Sequence, residues 1–173
     1  MEGWKNLQGN ILMKISFRKI EEKDISFLNA TRNFFAKDFL HDSRIFTVEE
    51  TREWFFSNLP DYWIIEESGK PVGYFRISNY STINKNLYLG ADIHPEYQRK
   101  GIAYSSYLIF IPYLFEKYNL NKISLEVLSS NSRAINLYKK LGFVIEGVKR
   151  EEILKENKYV DSIIMSILKN ERK

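Results

Sequence analysis

Residues Asp92 to Tyr104 read DIHPEYQRKGIAY. An apolar run, Leu87 to Ile93, ends there at His94-Pro95. A polar turn leads into Gln98-Arg99-Lys100-Gly101-Ile102-Ala103, and a long helical pattern follows. The order is strand, turn, helix start. A helix N-terminus offers backbone N–H groups without intrahelical partners and the positive end of a dipole. Gly101, placed where the helix begins, lets a ligand approach that backbone closely. Arg99 and Lys100 add full positive charge. These are the parts of a pyrophosphate cradle. The same residues also suit an ordinary solvated basic turn capping a core helix, and short glycine motifs match by chance.

Outward from this turn, the pattern alternates between periods of two and 3.6. Lys14 to Ile20 alternates as a strand, and Asp24 suits the N-cap of a helix to about Phe35, with Ile25, Phe27, Leu28 and Phe34 apolar. Thr47 and Glu50 have capping-box spacing and open a helix to about Asn58 that buries Trp54 and Phe55. Tyr62 to Glu67 and Val72 to Ser78 form a hairpin across Ser68-Gly69-Lys70-Pro71. Leu87 to Ile93 is the next strand. The helix from Gly101 to about Tyr118 has Ile102, Tyr107, Leu108, Ile111, Leu114 and Phe115 apolar, and Pro112 should kink it or end it early. Lys122 to Val127 is a strand. Ser130-Asn131-Ser132 opens a helix that Gly142 stops, and Phe143 to Leu154 and Tyr159 to Leu168 are final strands. This β-α-α-β-β-β-α-β-α-β-β order is mixed α/β. The Leu87-to-Val127 unit should set two parallel strands side by side.

The 173 residues suffice for one domain with a proper core. We read residues 1–13 as an N-terminal arm and residues 14–173 as a single domain. Cysteine is absent, which excludes disulfide and thiolate chemistry, and the two histidines, His41 and His94, offer no zinc spacing. No metal is therefore expected. The N-terminal residues lack signal-peptide character and no apolar run approaches the roughly 20 residues of a membrane span, so the expected location is cytoplasmic, with no membrane partner. A net charge of +4 suits an anionic ligand, while basic and acidic residues interleave without a block, which argues against nucleic acid.

The element order with QRKGIA after the fourth strand resembles the GNAT superfamily of N-acetyltransferases, whose acetyl-CoA loop is written Q/R-x-x-G-x-G/A. Gln98, Gly101 and Ala103 fill those positions, with Ala for the second Gly. A second block matches too: Leu125-Glu126-Val127, Asn131, Ala134, Leu137-Tyr138, Lys140 and Leu141-Gly142-Phe143. The resemblance runs from about Lys14 to the C-terminus. It resembles most the branch of ribosomal-protein N-terminal, spermidine and amino-sugar nucleotide acetyltransferases.

The resemblance implies a GNAT fold: a mixed sheet of about seven strands and about four helices, with a splayed parallel pair. It implies acetyl-CoA as co-substrate, with the pantetheine arm on the freed backbone near Ile93. The pyrophosphate would then lie on the N–H groups around Arg99, Lys100, Gly101, Ile102 and Ala103. Gln98 belongs to the same loop. Asn131 matches a position that contacts the pantetheine arm, and also suits a helix cap. The reaction implied is direct transfer to a primary amine in a ternary complex.

An alkyl amine has a pKa near ~10 and must lose a proton before attack, and the leaving thiolate must gain one. Tyr138, at the family's LY position, is the candidate acid; it equally suits a packed aromatic on an apolar face. Glu126 is the candidate base, facing away from Leu125 and Val127 on its strand. Asp92 is the alternative, and of Asp92 and Ile93 only one should look into the cleft. His94 could titrate near neutrality, or serve structure alone.

The resemblance implies an acceptor site built from the first two helices, their loop and the last hairpin, which makes Arg32, Asn33, His41, Arg44 and Arg150 the candidate contacts. Arg32, Arg44 and Arg150, a basic pI near 9.1 and abundant aromatics favour an amino-sugar nucleotide. The alternatives are a protein N-terminus, a polyamine, and an acetyl-CoA sensor without activity. Ile163-Ile164-Met165 suits a buried strand, and the resemblance leaves a homodimer open.

Overall fold

Alternating side chains on seven strands build a sheet whose two faces bury different partners. The computed structural model describes residues 14–171, so the arm expected over residues 1–13 lies outside the described residues. In chain order the elements are β1 (Ile15–Lys19), α1 (Ile25–Ala36), α2 (Val48–Asn58), β2 (Tyr62–Glu67), β3 (Lys70–Ser81), β4 (Asn86–Ile93), α3 (Ile102–Lys117), β5 (Lys122–Leu128), α4 (Ser132–Lys140), β6 (Val144–Lys155) and β7 (Lys158–Leu168). The strands lie in the order β1-β2-β3-β4-β5-β7-β6. Only β4 and β5 pair in parallel. This is the mixed seven-stranded sheet with four α-helices that the resemblance implies.

The β2–β3 and β6–β7 hairpins each turn on two residues with positive φ, as right-twisted strands prefer. These are Ser68 (51°) and Gly69 (80°) between β2 and β3, and Glu156 (45°) and Asn157 (64°) between β6 and β7. The capping box of α2 forms: Glu50 N–H donates to Thr47 Oγ1 at 3.1 Å, and Thr47 N–H donates to Glu50 Oε2 at 2.7 Å. Asp24 precedes α1 but its carboxylate does not cap that helix. It accepts from Glu21 N–H at 2.9 Å and takes a two-pronged ion pair from Arg18 at 2.6 and 2.8 Å.

Expectations about three helices need correction. Phe34 is 60% exposed while Phe35 is buried, because a turn of 3.6 residues carries the buried face from Ile25 and Leu28 to Phe35 and Ala36. Trp54 and Leu108 are exposed for the same reason of phase, and Phe55 and Tyr107 take the core positions. Pro112 does not end α3, which continues to Lys117. The proline lies on the exposed side between exposed Leu108 and Tyr113, where water can serve the carbonyl it frees.

One face of the sheet packs Phe75, Leu89 and Leu125 against Phe110 and Leu114 of α3. The opposite face packs Ile64 and Tyr74 against Ile25 and Leu28 of α1 and Phe55 of α2. The feature that positions the site is a gap. Pairing of β4 with β5 stops after Tyr88 and Ser124. Beyond that point β4 stays paired to β3 as far as Ile93, opposite Gly73, and β5 stays paired to β7 as far as Leu128, opposite Ser162. Each strand is held on its outer edge only, and the inner edges diverge.

Candidate active site

The divergence opens a cleft of about 440 Å³. Its walls come from the end of β4, the turn after it, the start of α3, the second half of β5, the start of α4 and the C-terminal end of α1. Arg99 (φ 60°) and Gly101 (φ 79°) both adopt the left-handed region, which brings the chain around into α3. A β-carbon at Gly101 would meet nothing within 4 Å, so the space before this backbone is open to a ligand. The first turn-closing bond is Ser105 N–H to Gly101 C=O at 3.0 Å. The N–H groups of Ile102, Ala103 and Tyr104 consequently have no acceptor within the helix. Exposed Arg99 and Lys100 flank them.

Gln98 fastens this turn. Its Nε2 donates to Ile93 C=O at 3.1 Å, and its Oε1 accepts from Arg133 of α4 at 3.2 Å. Asn131 caps α4, its Oδ1 accepting from Ala134 N–H at 3.1 Å, and it also lines the cleft. Open space at Gly101, free helix-start N–H groups and three neighbouring cations suit the pyrophosphate of acetyl-CoA. The unpaired inner edge of β4 suits an amide-bearing arm.

Tyr138 enters the cleft from α4 and is 8% exposed. A Schellman closure fixes it: Phe143 N–H donates to Tyr138 C=O at 2.9 Å, Gly142 takes φ 94°, and the Phe143 ring lies 5.8 Å from the Tyr138 ring. Burial holds its phenol above the ordinary pKa, so it carries its proton at neutral pH. Tyr107 meets it edge-on at 5.8 Å.

Across the cleft lie two carboxylates. Glu126, on the face opposite Leu125 and Val127, accepts from Lys149 Nζ at 2.8 Å, and its other oxygen is 3.8 Å from His41 Nε2. Asp92 is buried 3.4 Å from Arg76, and its Oδ2 makes no hydrogen bond within the protein. Burial, the largest single influence, lowers the Arg76 pKa; the Asp92 charge together with Tyr74, Tyr62 and Tyr138 outweighs it and raises it. The expectation that only one of Asp92 and Ile93 faces the cleft is corrected, because the splay exposes both faces of β4 and both residues line it. His94 instead stacks on Phe27 at 5.5 Å.

Sequence reasoning missed Arg76. The available signal was Gly90, its cross-strand partner, where a β-carbon would fall 2.9 Å from the guanidinium.

The acceptor candidates separate. Arg32 donates to the Asp42 carbonyl at 3.2 Å and to the Arg44 carbonyl, and its guanidinium lies 4.4 Å over the Phe46 ring. Asn33 clasps the Phe46 backbone with donor and acceptor at 2.7 and 3.2 Å. Arg44 folds back on Asp42 at 2.7 Å. These three shape the α1–α2 loop by bonding to it. Arg150 lies with Glu151 and Asp161 on the last hairpin, away from the cleft lining. Only His41 reaches a cleft carboxylate.

A splayed parallel pair beside a helix start that suits an anion fits an acyl-CoA-dependent transferase. The chain belongs to the acetyltransferase (GNAT) family, whose model matches residues 28–143, and it is an acetyl-CoA-dependent N-acetyltransferase. Among individual proteins, it is 29% identical over 165 residues to spermidine N(1)-acetyltransferase of Vibrio cholerae, covering 91% of this chain and 94% of that one. It is 32% identical over 108 residues to an N-alpha-acetyltransferase of Sulfurisphaera tokodaii, covering 57% and 62%. The crystal structure of the Vibrio cholerae spermidine N-acetyltransferase in complex with CoA and spermine superposes with a TM-score of 0.83 at 27% identity, covering 91% of this chain and 97% of that one. Among the described residues no helix is long and apolar enough to cross a membrane.

Proposed function

We propose that this enzyme acetylates a primary amine of an aliphatic polyamine, with Glu126 as general base and Tyr138 as general acid. Acetyl-CoA supplies an activated acyl carbon, to which the amine nitrogen bonds as the carbon–sulfur bond breaks. Ile102, Ala103 and neighbouring N–H groups hold the donor's pyrophosphate, with Gln98, Arg99, Lys100 and Gly101 forming the loop. Ile93 and Asn131 guide its arm. Glu126 takes the proton that the ammonium must lose. Tyr138 gives its proton to the leaving sulfur.

The observation that carries the acceptor class is the composition of the acceptor wall. Phe35, Phe39 and Leu40 give it an apolar surface above Asp92 and Glu126. The cations beside these carboxylates, Arg76 and Lys149, are already paired to them. Methylene segments suit the apolar wall, and ammonium groups suit the carboxylates. The full-length similarity to spermidine acetyltransferases supports the same reading. An amino-sugar nucleotide fits less well, since Arg32 and Arg44 bond to their own loop and Arg150 lies off the cleft. The second reading is a peptide N-terminus, favoured by the partial similarity to an N-alpha-acetyltransferase.

The test is CoA-thiol release with spermidine, spermine, a nucleotide-linked amino sugar and short peptides with free N-termini. The polyamines are expected to give the highest kcat/KM. A higher value for a peptide or for the sugar nucleotide overturns the acceptor assignment.

A further inference from the structure

We propose that His41 is a relay that carries the substrate's proton from Glu126 to solvent. This rests on Glu126 being the base. A base that accepts a proton in every turnover must also lose it, and the Glu126 side chain is only 23% exposed, with one of its two oxygens occupied. Oε1 is held by the Lys149 ammonium at 2.8 Å, which is a donor with no free lone pair. Oε2 faces His41 Nε2 across 3.8 Å, and a shift of about 1 Å brings that pair to hydrogen-bond length. The His41 side chain is 38% exposed, so the ring spans from the cleft carboxylate to water.

The ring is also positioned. Its Nε2 lies 3.0 Å from Ser162 Oγ, and Ser162 is fully buried on β7. A hydroxyl can donate to the neutral ring and accept from the protonated one, so Ser162 serves both states. The groups facing His41 come from every strand packed near it. They are Glu126 on β5, Lys149 and Glu152 on β6, Ser162 on β7 and Arg76 on β3. Burial lowers the imidazole pKa, Glu126 and Glu152 raise it, Lys149 and Arg76 lower it, and the net shift is downward. The ring is then neutral at neutral pH and able to accept.

The proton balance is closed. The nitrogen loses two protons: the second, released once it has bonded the acyl carbon, restores the Tyr138 phenol that has protonated the sulfur, and the first passes from the ammonium to the Glu126 carboxylate. The resulting carboxylic acid gives it to His41, restoring the carboxylate, and the imidazolium gives a proton to water, restoring the neutral ring. A histidine acting through Glu126 in this way differs from the acceptor contact that its sequence position suggests.

The test compares pH–rate profiles of wild type, His41→Gln, His41→Ala and Glu126→Gln, with CoA thermal shifts checking that each variant folds. The amine is whichever one the wild type turns over fastest, so the acceptor's identity does not enter. His41→Gln keeps a polar partner for Ser162 but cannot titrate. It should lower kcat about tenfold with little change in the amine KM, and alter the acidic limb. Added imidazole should restore rate to His41→Ala in a saturable way. A His41→Gln enzyme with wild-type kcat and pH profile overturns the relay and leaves His41 as a staple of its loop. A raised KM without imidazole rescue overturns it in favour of a substrate contact. Full activity in Glu126→Gln removes the base assignment, and the relay falls with it. Loss in Glu126→Gln beside an unchanged His41→Gln removes the relay alone.

Discussion

The halves of the cleft that we assign to the donor and to the acceptor are made in opposite ways. The donor half comes mostly from one short stretch, Ile93 to Tyr104, joined by Asn131 and Arg133 at the start of α4, and its central parts are backbone: two left-handed residues, free N–H groups and open space at Gly101. The acceptor half is a set of side chains brought from β3, the α1–α2 loop, β5, β6 and β7, namely Arg76, His41, Glu126, Lys149 and Ser162. Backbone recognition of a constant ligand needs few residue types in fixed order. Side-chain recognition can be rewritten one residue at a time, which suits the part that must differ between acceptors.

The sharpest way to break this contrast is at the chemistry where the halves meet. Glu126→Gln should lower kcat/KM by about 10²-fold or more while CoA binding stays intact. Tyr138→Phe should lower kcat by a similar ~10²-fold, with the melting temperature near that of wild type. Steady-state rates beside CoA titrations check both, and wild-type turnover in Tyr138→Phe removes its acid role.

Stability tests the scaffold beneath the acceptor half. Arg18 holds the Asp24 carboxyl below the ordinary range even though burial pushes it upward. The folded pKa is below the unfolded one, near ~3.9. Its contribution is therefore full above that value and is lost as pH falls through the folded pKa. Asp24→Asn leaves Arg18 without its bidentate partner and should cost about 3 kcal/mol at pH 7. The deficit relative to wild type should shrink in acid, as denaturant titrations at several pH values will show.

Gly101→Ala probes the donor half. An alanine in the left-handed region costs about 1 kcal/mol, and its methyl enters the open space before the N–H groups. CoA affinity should fall about tenfold or more, measured by calorimetry, with polyamine KM little changed. Arg150→Ala should have the smallest effect, with kcat/KM for the best amine within about twofold of wild type. A large loss there would return Arg150 to the acceptor site.

The same division sets what was legible in the sequence. The anion turn, the Thr47 capping box, the two-residue hairpins and the Gly142 stop are local, so each announces itself in consecutive residues. Phe34 and Phe35 are adjacent and chemically identical, and only the accumulated phase of α1 decides which is buried. Arg32 and Arg44 read as free cations because a sequence does not display the carbonyls and the Asp42 carboxylate that occupy them. Lys149 and Ser162 gained meaning only when the β6–β7 register set them opposite one another, beside Glu126. Arg76 belonged to an apolar strand, and its only trace was a glycine across the sheet.

The tip of the β6–β7 hairpin has a bearing on how the molecule is assembled during synthesis. Lys155 donates to the Ala36 carbonyl at 2.9 Å and to Ser43 Oγ at 2.6 Å, and Lys37 pairs with Glu156 at 2.6 Å. The loop that carries His41 is thus tied down by residues more than a hundred positions later. A nascent chain that has emerged only as far as Gly142 has the whole anion turn and α4 behind it, yet lacks Lys149, Lys155 and Ser162. Until those residues leave the ribosome, the Glu126 carboxylate lacks Lys149 and the early loop is held only by its own bonds to Arg32, Asn33 and Arg44. The residues of the anion turn are all present before the last two strands, while those of the acceptor half are complete only with them.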